Sequence, residues 1–165
     1  MKKKILITGG TGYLAASIAA FLSQNENYQI SICSRSIIES KSRKLKALNI
    51  DWNKPSSIKR ICSGKDIIIH CASPDANFSK KHPLESYKFN ANILGSFVNE
   101  AIDNKVQKFI YFSSAHVYNS KLEGVLNEKS PLISDHPYGV SKKIAEQTLL
   151  KNKNLIEINI IRLSN

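Results

Sequence analysis

Three glycines placed directly after an aliphatic run constrain this chain more than any other feature: Lys4-Ile5-Leu6-Ile7-Thr8-Gly9-Gly10-Thr11-Gly12-Tyr13-Leu14-Ala15. Ile5, Leu6 and Ile7 in succession predict a short strand buried on both faces, as in a parallel sheet. From Tyr13 to Leu22 the apolar residues recur at helical spacing. A strand that feeds a helix through glycines leaves the first-turn N–H groups unpaired and aimed outward, with the positive end of the helix dipole behind them. Phosphate binds at such an end. A Cβ would block both the positive-φ turn and the backbone's approach to a pyrophosphate. Gly9, Thr11, Gly12, Tyr13 and Leu14 are therefore candidates for holding a dinucleotide. The pattern reads G-x-x-G-x-x-A, with Ala15 where a third glycine is usual; that place requires only a small residue, so that the helix can pack on the strand. The alternative, a glycine turn without a ligand, has to be judged from the rest of the chain.

The remaining sequence alternates strand and helix. Tyr28 to Cys33 predicts a second strand, ending at Ser34-Arg35-Ser36, and Leu45 to Ile50 a third, followed by Asp51-Trp52. Pro55 to Ile61 reads as a short helix with proline in its first turn. Asp66 to Ala72 is a fourth strand, apolar in its middle, that brings Ala72 and Ser73 to its carboxyl end. Leu84 to Asn104 predicts one long helix. Gln107 to Phe112 is a fifth strand leading into Ser113-Ser114-Ala115. A polar loop with Pro131 and Pro137 follows, then a helix from Tyr138 to Lys151 with Glu146 on its outer face, and a sixth strand from Ile156 to Leu163. Apolar strands with helices between them give a Rossmann-like, doubly wound parallel α/β sheet of about six strands, one domain over residues 1–165. Ligands of such sheets bind outside the carboxyl ends of the strands.

The end of the second strand bears on cofactor choice. An acid there binds the adenosine ribose 2′-hydroxyl and repels a 2′-phosphate, whereas an arginine accepts the phosphate. Ser34, Arg35 and Ser36 offer two hydroxyls and a guanidinium with no acid, which favours NADP, NAD being the alternative. Asp51 and Trp52, after the third strand, are placed to meet the adenine, and Ala72 to line the same edge.

Composition excludes other classes. No apolar run is long enough to span a bilayer, and after Met1-Lys2-Lys3-Lys4 only Ile5-Leu6-Ile7 precede the glycines, too few for a signal peptide. Cys33, Cys62 and Cys71 are scattered without C-x-x-C spacing, and the four histidines lack ligand spacing, so neither a disulfide nor a structural metal is expected and the setting reads as a reducing cytoplasm. The formal charge of +11 invites a nucleic-acid reading. The lysines that carry it, among them Lys41, Lys44, Lys46, Lys80, Lys81, Lys105, Lys142, Lys143, Lys151 and Lys153, are dispersed and not interleaved with aromatics, which argues against that partner.

Tyr138-Gly139-Val140-Ser141-Lys142 sets a phenol and an ammonium four residues apart, on one helical face. A free tyrosine titrates near pH 10 and is a poor base at neutrality. A neighbouring lysine favours the phenolate, so Tyr138 is expected to become a usable acid or base. Ser114, at the tip of the fifth strand, is placed to orient the same substrate oxygen. Such a pair alone is common on surface helices; joined to the glycine turn and the serine it defines a site.

With these residues in hand, the chain resembles the extended branch of the short-chain dehydrogenase/reductases, the nucleotide-sugar epimerase and dehydratase family. The matching stretches are Thr8 to Leu14, Asp51, Ala72, Phe112 to Tyr118, Tyr138 to Lys142 and Arg162 to Asn165. The resemblance implies Tyr138 as acid/base, Ser114 as its partner, and Lys142 holding the nicotinamide ribose while tuning Tyr138. It implies a hydride passed between NAD(P) and a carbon of a nucleotide-activated sugar. Sugar-nucleotide 4,6-dehydratases carry an acidic pair after the serine position, where Ala115 and His116 stand here. Elimination therefore lacks its acid, and epimerisation or reduction is expected. His116 is a pocket-lining residue or a substitute acid. The family's asparagine before the long helix's Gly95 matches Asn92 by local sequence or Asn90 by gapless spacing; Asn92 is taken as the cofactor-side candidate.

Family members continue into a carboxyl-terminal lobe that grips the nucleotide diphosphate, and this lobe is missing from the 165 residues. Turnover by the chain alone is then expected to be slight. The competing expectation is a non-catalytic dinucleotide-binding module that senses cofactor or pairs with another chain. Either way, exposed apolar faces and an open sheet edge predict marginal stability or association of two copies.

Overall fold

A computed structural model describes residues 2–36, 45–119 and 121–164; Lys41, Lys44 and Asn165 lie outside these. Six parallel strands form one sheet in the order β3-β2-β1-β4-β5-β6. The strands are β1 (Lys3–Thr8), β2 (Tyr28–Ser34), β3 (Leu45–Asn49), β4 (Ile67–His70), β5 (Lys108–Ser114) and β6 (Glu157–Leu163). The helices are α1 (Tyr13–Leu22), α2 (Pro55–Cys62), α3 (Ala76–Lys81), α4 (Pro83–Lys88), α5 (Leu94–Asp103) and α6 (Pro137–Leu150). Strand order reverses between β1 and β4, where Thr8 sits opposite His70. That reversal opens a crevice at the carboxyl edge.

The sheet has two unequal faces. On one, Leu6, Ile68, Phe109 and Tyr111 pack with Ile58 and Ile61 of α2, Phe97 and Val98 of α5, and Ala145 and Leu149 of α6. On the other, Ile5, Ile7, Ile30 and Ile32 pack with Ala15 and Ala19 of α1. The small side chains of Ala15 and Ala19 let that helix approach closely, which is the work expected of Ala15. Beyond β1 and β2 the α1 face is less covered: Ile161 and Leu163 of β6, paired with Phe112 and Ser114 of β5, remain 41% and 39% exposed.

Three elements differ from the sequence expectation. The long helix is interrupted: α4 passes through a π-helical turn, Phe89–Ile93, before α5. The extra residue in that turn shifts which side chains face inward. The short helix α3, unforeseen in the sequence, starts at Asp75, whose side chain accepts from the Phe78 N–H at 2.7 Å. Glu146 faces inward. It is 2% exposed, and a buried carboxylate requires partners. It accepts from the Ser113 hydroxyl at 2.6 Å and from Arg162 Nε and Nη2 at 3.0 and 2.7 Å.

Candidate active site

The crevice begins at the glycine turn. Gly9 holds φ +76°, and a Cβ on it would lie 2.9 Å from the Ala72 backbone nitrogen. A side chain there would both strain the backbone and wedge β1 away from β4. The turn is braced by Gly10 N–H donating to the Cys33 carbonyl at 2.9 Å and Gly12 N–H donating to the Gly9 carbonyl at 2.8 Å. Gly12 then starts α1 with no side chain bonding the first-turn N–H groups. An anion-binding helix end requires that arrangement.

A cleft of about 260 Å³ lies above this turn. Gly9, Thr11, Gly12, Ser34, Arg35 and Ala72 line it together. Phe78, Phe89 and Pro74 also line it; they come from the α3 region and the π-helical turn, and the Asp75 capping position was the sequence signal that could have revealed the first. Trp52 reaches the cleft wall, yet its indole is only 7% exposed. It packs edge-on against His70, Phe89 and Phe97 at 5.3–5.7 Å. The indole is thus a core residue closing the cleft, rather than a free surface for a base. Asp51 is turned to its own loop, accepting from Asn53 N–H at 3.0 Å and facing Lys54 at 3.6 Å. Tyr13 is 89% exposed and, like the half-buried Leu14, is not part of the cleft wall. Ser36 contributes its carbonyl to the Ser34 hydroxyl. A wider concavity, about 1000 Å³, opens at the opposite edge among Lys2, Lys3, Lys4, Lys65 and Lys105. That is the amino-terminal end of the strands, away from the side where parallel sheets bind ligands.

The second group of residues comes from β5 and α6. Ser114 ends β5, 6% exposed, its hydroxyl accepting from the His116 N–H at 3.2 Å. Proline-initiated α6 is capped by His136, whose Nδ1 accepts from the Tyr138 N–H at 3.2 Å. A Cβ on Gly139 would collide with the Ser134 hydroxyl and the His116 carbonyl, so glycine lets α6 seat tightly on that loop. The phenol of Tyr138 is pushed up from its ordinary value of 10 by burial, against a hydrogen bond with Ser114 that acts downward. Lys142, 4% exposed, donates from Nζ to the Phe112 carbonyl at 2.9 Å and lies over the Tyr111 and Tyr138 rings, 4.9 and 5.8 Å from their centroids. Burial lowers its ammonium to about 8, opposed by Cys71 and Glu146.

This electrostatic outcome corrects the expectation that Lys142 brings Tyr138 down. In this arrangement the ammonium is engaged by a carbonyl and ring faces, and the phenol is raised by burial. Asn92 is corrected as well. It is exposed on the π-helical turn, while Asn90 is fully buried and its Nδ2 donates to the Ser141 hydroxyl at 3.1 Å. Ser141 in turn donates to the Tyr138 carbonyl at 2.8 Å, so Asn90 is joined to the turn that carries Tyr138. His116 lies half-buried beside Tyr138, rings 6.2 Å apart.

Chemically, the arrangement offers a bare helix terminus that suits an anion, a guanidinium in the same cleft, and a hydroxyl–phenol–ammonium set at the tip of β5 and the start of α6. Among the described residues no group of three or more His, Cys, Asp or Glu is placed to hold a metal ion, and no helix is long and apolar enough to cross a membrane.

Comparison with known proteins shows the family. The profile described as NAD dependent epimerase/dehydratase family matches residues 5–165. A human dTDP-D-glucose 4,6-dehydratase is 27% identical over 162 residues, covering 87% of this chain and 45% of the relative. Among solved structures, the UDP-Glc/GlcNAc 4-epimerase of Campylobacter jejuni aligns with a TM-score of 0.87 and 26% identity, over 97% of this chain and 53% of that one. A UDP-glucuronic acid 4-epimerase from Bacillus cereus, solved in complex with NAD, aligns at a TM-score of 0.82 and 23% identity, over 96% of this chain and 55% of its own. The chain thus spans about half the length of the proteins it matches.

Proposed function

The chain belongs to the NAD dependent epimerase/dehydratase family, and from that premise we propose that it is the cofactor-binding, acid/base half of an NAD(P)-dependent epimerase or reductase acting on a nucleotide-activated sugar. The observation that carries the proposal is the convergence of two independent sets on one edge of the sheet. Gly9, Gly12, Ser34 and Arg35 surround the cleft, while Ser114, Tyr138 and Lys142 stand at the tip of β5 and the start of α6. A glycine turn seated too close to the Ala72 backbone to admit a side chain, beside an uncapped helix end, fits a dinucleotide pyrophosphate. The chemistry supplied by a bound nicotinamide is hydride acceptance and return.

The residues of the chain do the rest. Gly9, Thr11 and Gly12 hold the pyrophosphate, and Arg35 with Ser34 holds a ribose 2′-phosphate, the feature that favours NADP over NAD. Tyr138 exchanges a proton with the sugar hydroxyl, and Ser114 orients that oxygen. Lys142 would hold the nicotinamide ribose, a ligand hydroxyl taking the place of the Phe112 carbonyl. Ala115 and His116 supply no carboxylic acid after Ser114, which favours epimerisation or reduction over elimination.

Turnover by the chain alone is expected to be slight. It spans about half the length of its relatives, and the binding energy that would orient a sugar over the cofactor needs more surface than this cleft supplies. A second reading, a dinucleotide-binding module without turnover that associates with another copy or another chain, is favoured by the exposed strip at β6, where Ile161 and Leu163 stand with Leu155 at 69% exposure. The test is direct. NADPH and NADH affinities are measured first, and then cofactor oxidation or sugar interconversion is followed with UDP-, GDP- and dTDP-sugars. Conversion of one sugar class supports the enzyme. Tight NADPH binding without conversion supports the module, and tighter binding of NADH than NADPH overturns the role given to Arg35. Replacing Arg35 with Ala should weaken NADPH about tenfold, roughly 1.4 kcal/mol, and leave NADH unchanged.

A further inference from the structure

Beneath the cleft lies a titratable side chain that none of the chemistry above uses. His70 ends β4 directly opposite Thr8, which ends β1, at the point where strand order reverses. Its Nδ1 is 2.8 Å from the Thr8 hydroxyl oxygen, and the same oxygen accepts from the Ala72 N–H at 3.2 Å. The hydroxyl has one proton. Given to Nδ1, that proton would place the imidazole's own proton on Nε2. Nε2 has no hydrogen-bond partner among the described residues. The ring is 1% exposed and enclosed by Trp52, Phe89, Phe97, Phe109 and Tyr111 at centroid distances of 5.3–6.4 Å.

An apolar ring would fill this aromatic nest without leaving an N–H unpaired, so packing alone gives no reason for histidine. What histidine adds is the Nδ1 acceptor. We propose that His70 is a positioning residue for the dinucleotide cleft: by taking the Thr8 proton it aims the hydroxyl's lone pair at the Ala72 N–H and fixes the Ala72 peptide against Gly9 before any ligand arrives. The inference rests on the dinucleotide reading of the cleft. Gly9 and Ala72 both line it, and they approach so closely that a Cβ on Gly9 would be 2.9 Å from the Ala72 nitrogen. A peptide free to rotate here would let the two strand tips part, and the ligand would have to order them itself. Burial, with the Lys142 ammonium acting in the same sense, lowers the imidazole to about 3. The ring therefore stays an acceptor at neutral pH.

The experiment has a ligand-free arm and a ligand arm. Side-chain nitrogen shifts of His70 at pH 7 should report the Nε2–H tautomer; an Nδ1–H tautomer or an imidazolium overturns the proposal. The Ala72 amide should be protected from hydrogen exchange in the wild type and in Thr8→Ser, and lose at least tenfold of that protection in Thr8→Val and His70→Phe. NADPH affinity should fall about tenfold in Thr8→Val and His70→Phe and be restored in Thr8→Ser. If His70→Phe folds, protects Ala72 and binds NADPH like the wild type, His70 is packing only. If it does not fold, the contrast of Thr8→Val with Thr8→Ser decides by the same two readouts. A wild type that binds no dinucleotide, with the tautomer and amide results as expected, would sink the dinucleotide reading while leaving the Thr8–His70–Ala72 linkage established.

Discussion

Two helices begin at the same edge of the sheet and are finished in opposite ways. Helix α1 starts at Gly12 with no side chain bonding its first turn, and only Ala15 and Ala19 are buried along it. Helix α6 starts behind His136 and Pro137, its first turn capped by an imidazole, and buries Gly139, Ser141, Lys142, Ala145, Glu146 and Leu149. An uncapped terminus costs stability unless something else satisfies its N–H groups. On the proposed reading, α1 is kept open for an anion from outside, whereas α6 is closed and holds its own polar side chains still. Changes at the start of α1 should therefore move ligand binding, and changes along α6 should move stability.

The largest expected effect tests the open end. Gly12→Asp places a capping carboxylate where φ −87° and ψ 151° suit any residue, with its Cβ 3.2 Å from the Gly9 carbonyl oxygen. The gain of such a cap over glycine is only about a few tenths of a kcal/mol, which that tight contact offsets, so stability should change little. A pyrophosphate facing that carboxylate at roughly 4 Å meets repulsion of about 4 kcal/mol, so NADPH affinity should fall a hundredfold or more. Isothermal titration and urea unfolding read the two effects separately. NADPH affinity unchanged in Gly12→Asp would mean that α1 is not an anion site held in reserve.

Next is the tight seat of α6. Gly139→Ala drives a methyl into the Ser134 hydroxyl and the His116 carbonyl, one of them backbone and unable to step aside. Overpacking of this kind should cost about 3 kcal/mol, read as a drop in urea midpoint without a change in slope. A neutral result would show that the loop before α6 adapts, and that the helix is not fixed by it.

The contrast also explains what could be read from sequence. Ile5 to Ile7 and Ile67 to Ile69 were legible as strands because residues buried on both faces of a parallel sheet form unbroken aliphatic runs. The turn at Gly9 and the four-residue spacing of Tyr138 and Lys142 were legible because each is local. Glu146 was not. A carboxylate on a helix reads as solvent-facing by default, and its burial depends on Arg162, sixteen residues away on another strand, and on Ser113 of β5. The choice between Asn90 and Asn92 was hidden for a different reason: the π-helical turn Phe89–Ile93 adds a residue to the repeat, so counting along a regular helix cannot say which side chain turns inward. The state of Tyr138 was misjudged because spacing shows that an ammonium is near, and not that it is spent on the Phe112 carbonyl.

Lys142 offers a third test, with a sign that can be worked out. Burial lowers its ammonium from 10.5 to about 8. Below pH 8 the folded state carries the full cost of a buried charge, and between pH 8 and 10.5 the unfolded chain holds more protons than the folded one, so this group's contribution to stability rises with pH. Lys142→Met removes the cost. The variant should be more stable than the wild type by up to about 3 kcal/mol near pH 7, and the gap should close as pH approaches 10. Comparing the two proteins at each pH cancels the opposing contribution of the buried thiols, which burial raises to about 12. A gap that is constant with pH would mean that the lysine titrates alike in the folded and unfolded chain, so that burial does not lower its ammonium.

The smallest effect falls on the cap itself. His136 is half-buried, and its bond to the Tyr138 N–H, 3.2 Å, is at the long end of the useful range. Imidazole is not among the preferred capping groups, and Pro137 already removes one of the donors a cap would serve. His136→Ala should therefore cost no more than about 1 kcal/mol, a shift of a few degrees in Tm. NADPH affinity should stay within twofold, because the cap fixes α6 from behind while the pyrophosphate is held at α1. If the affinity fell as far as it does in Gly12→Asp, the two helix ends would be one coupled unit, and the division between an end that binds and an end that braces would have to be abandoned.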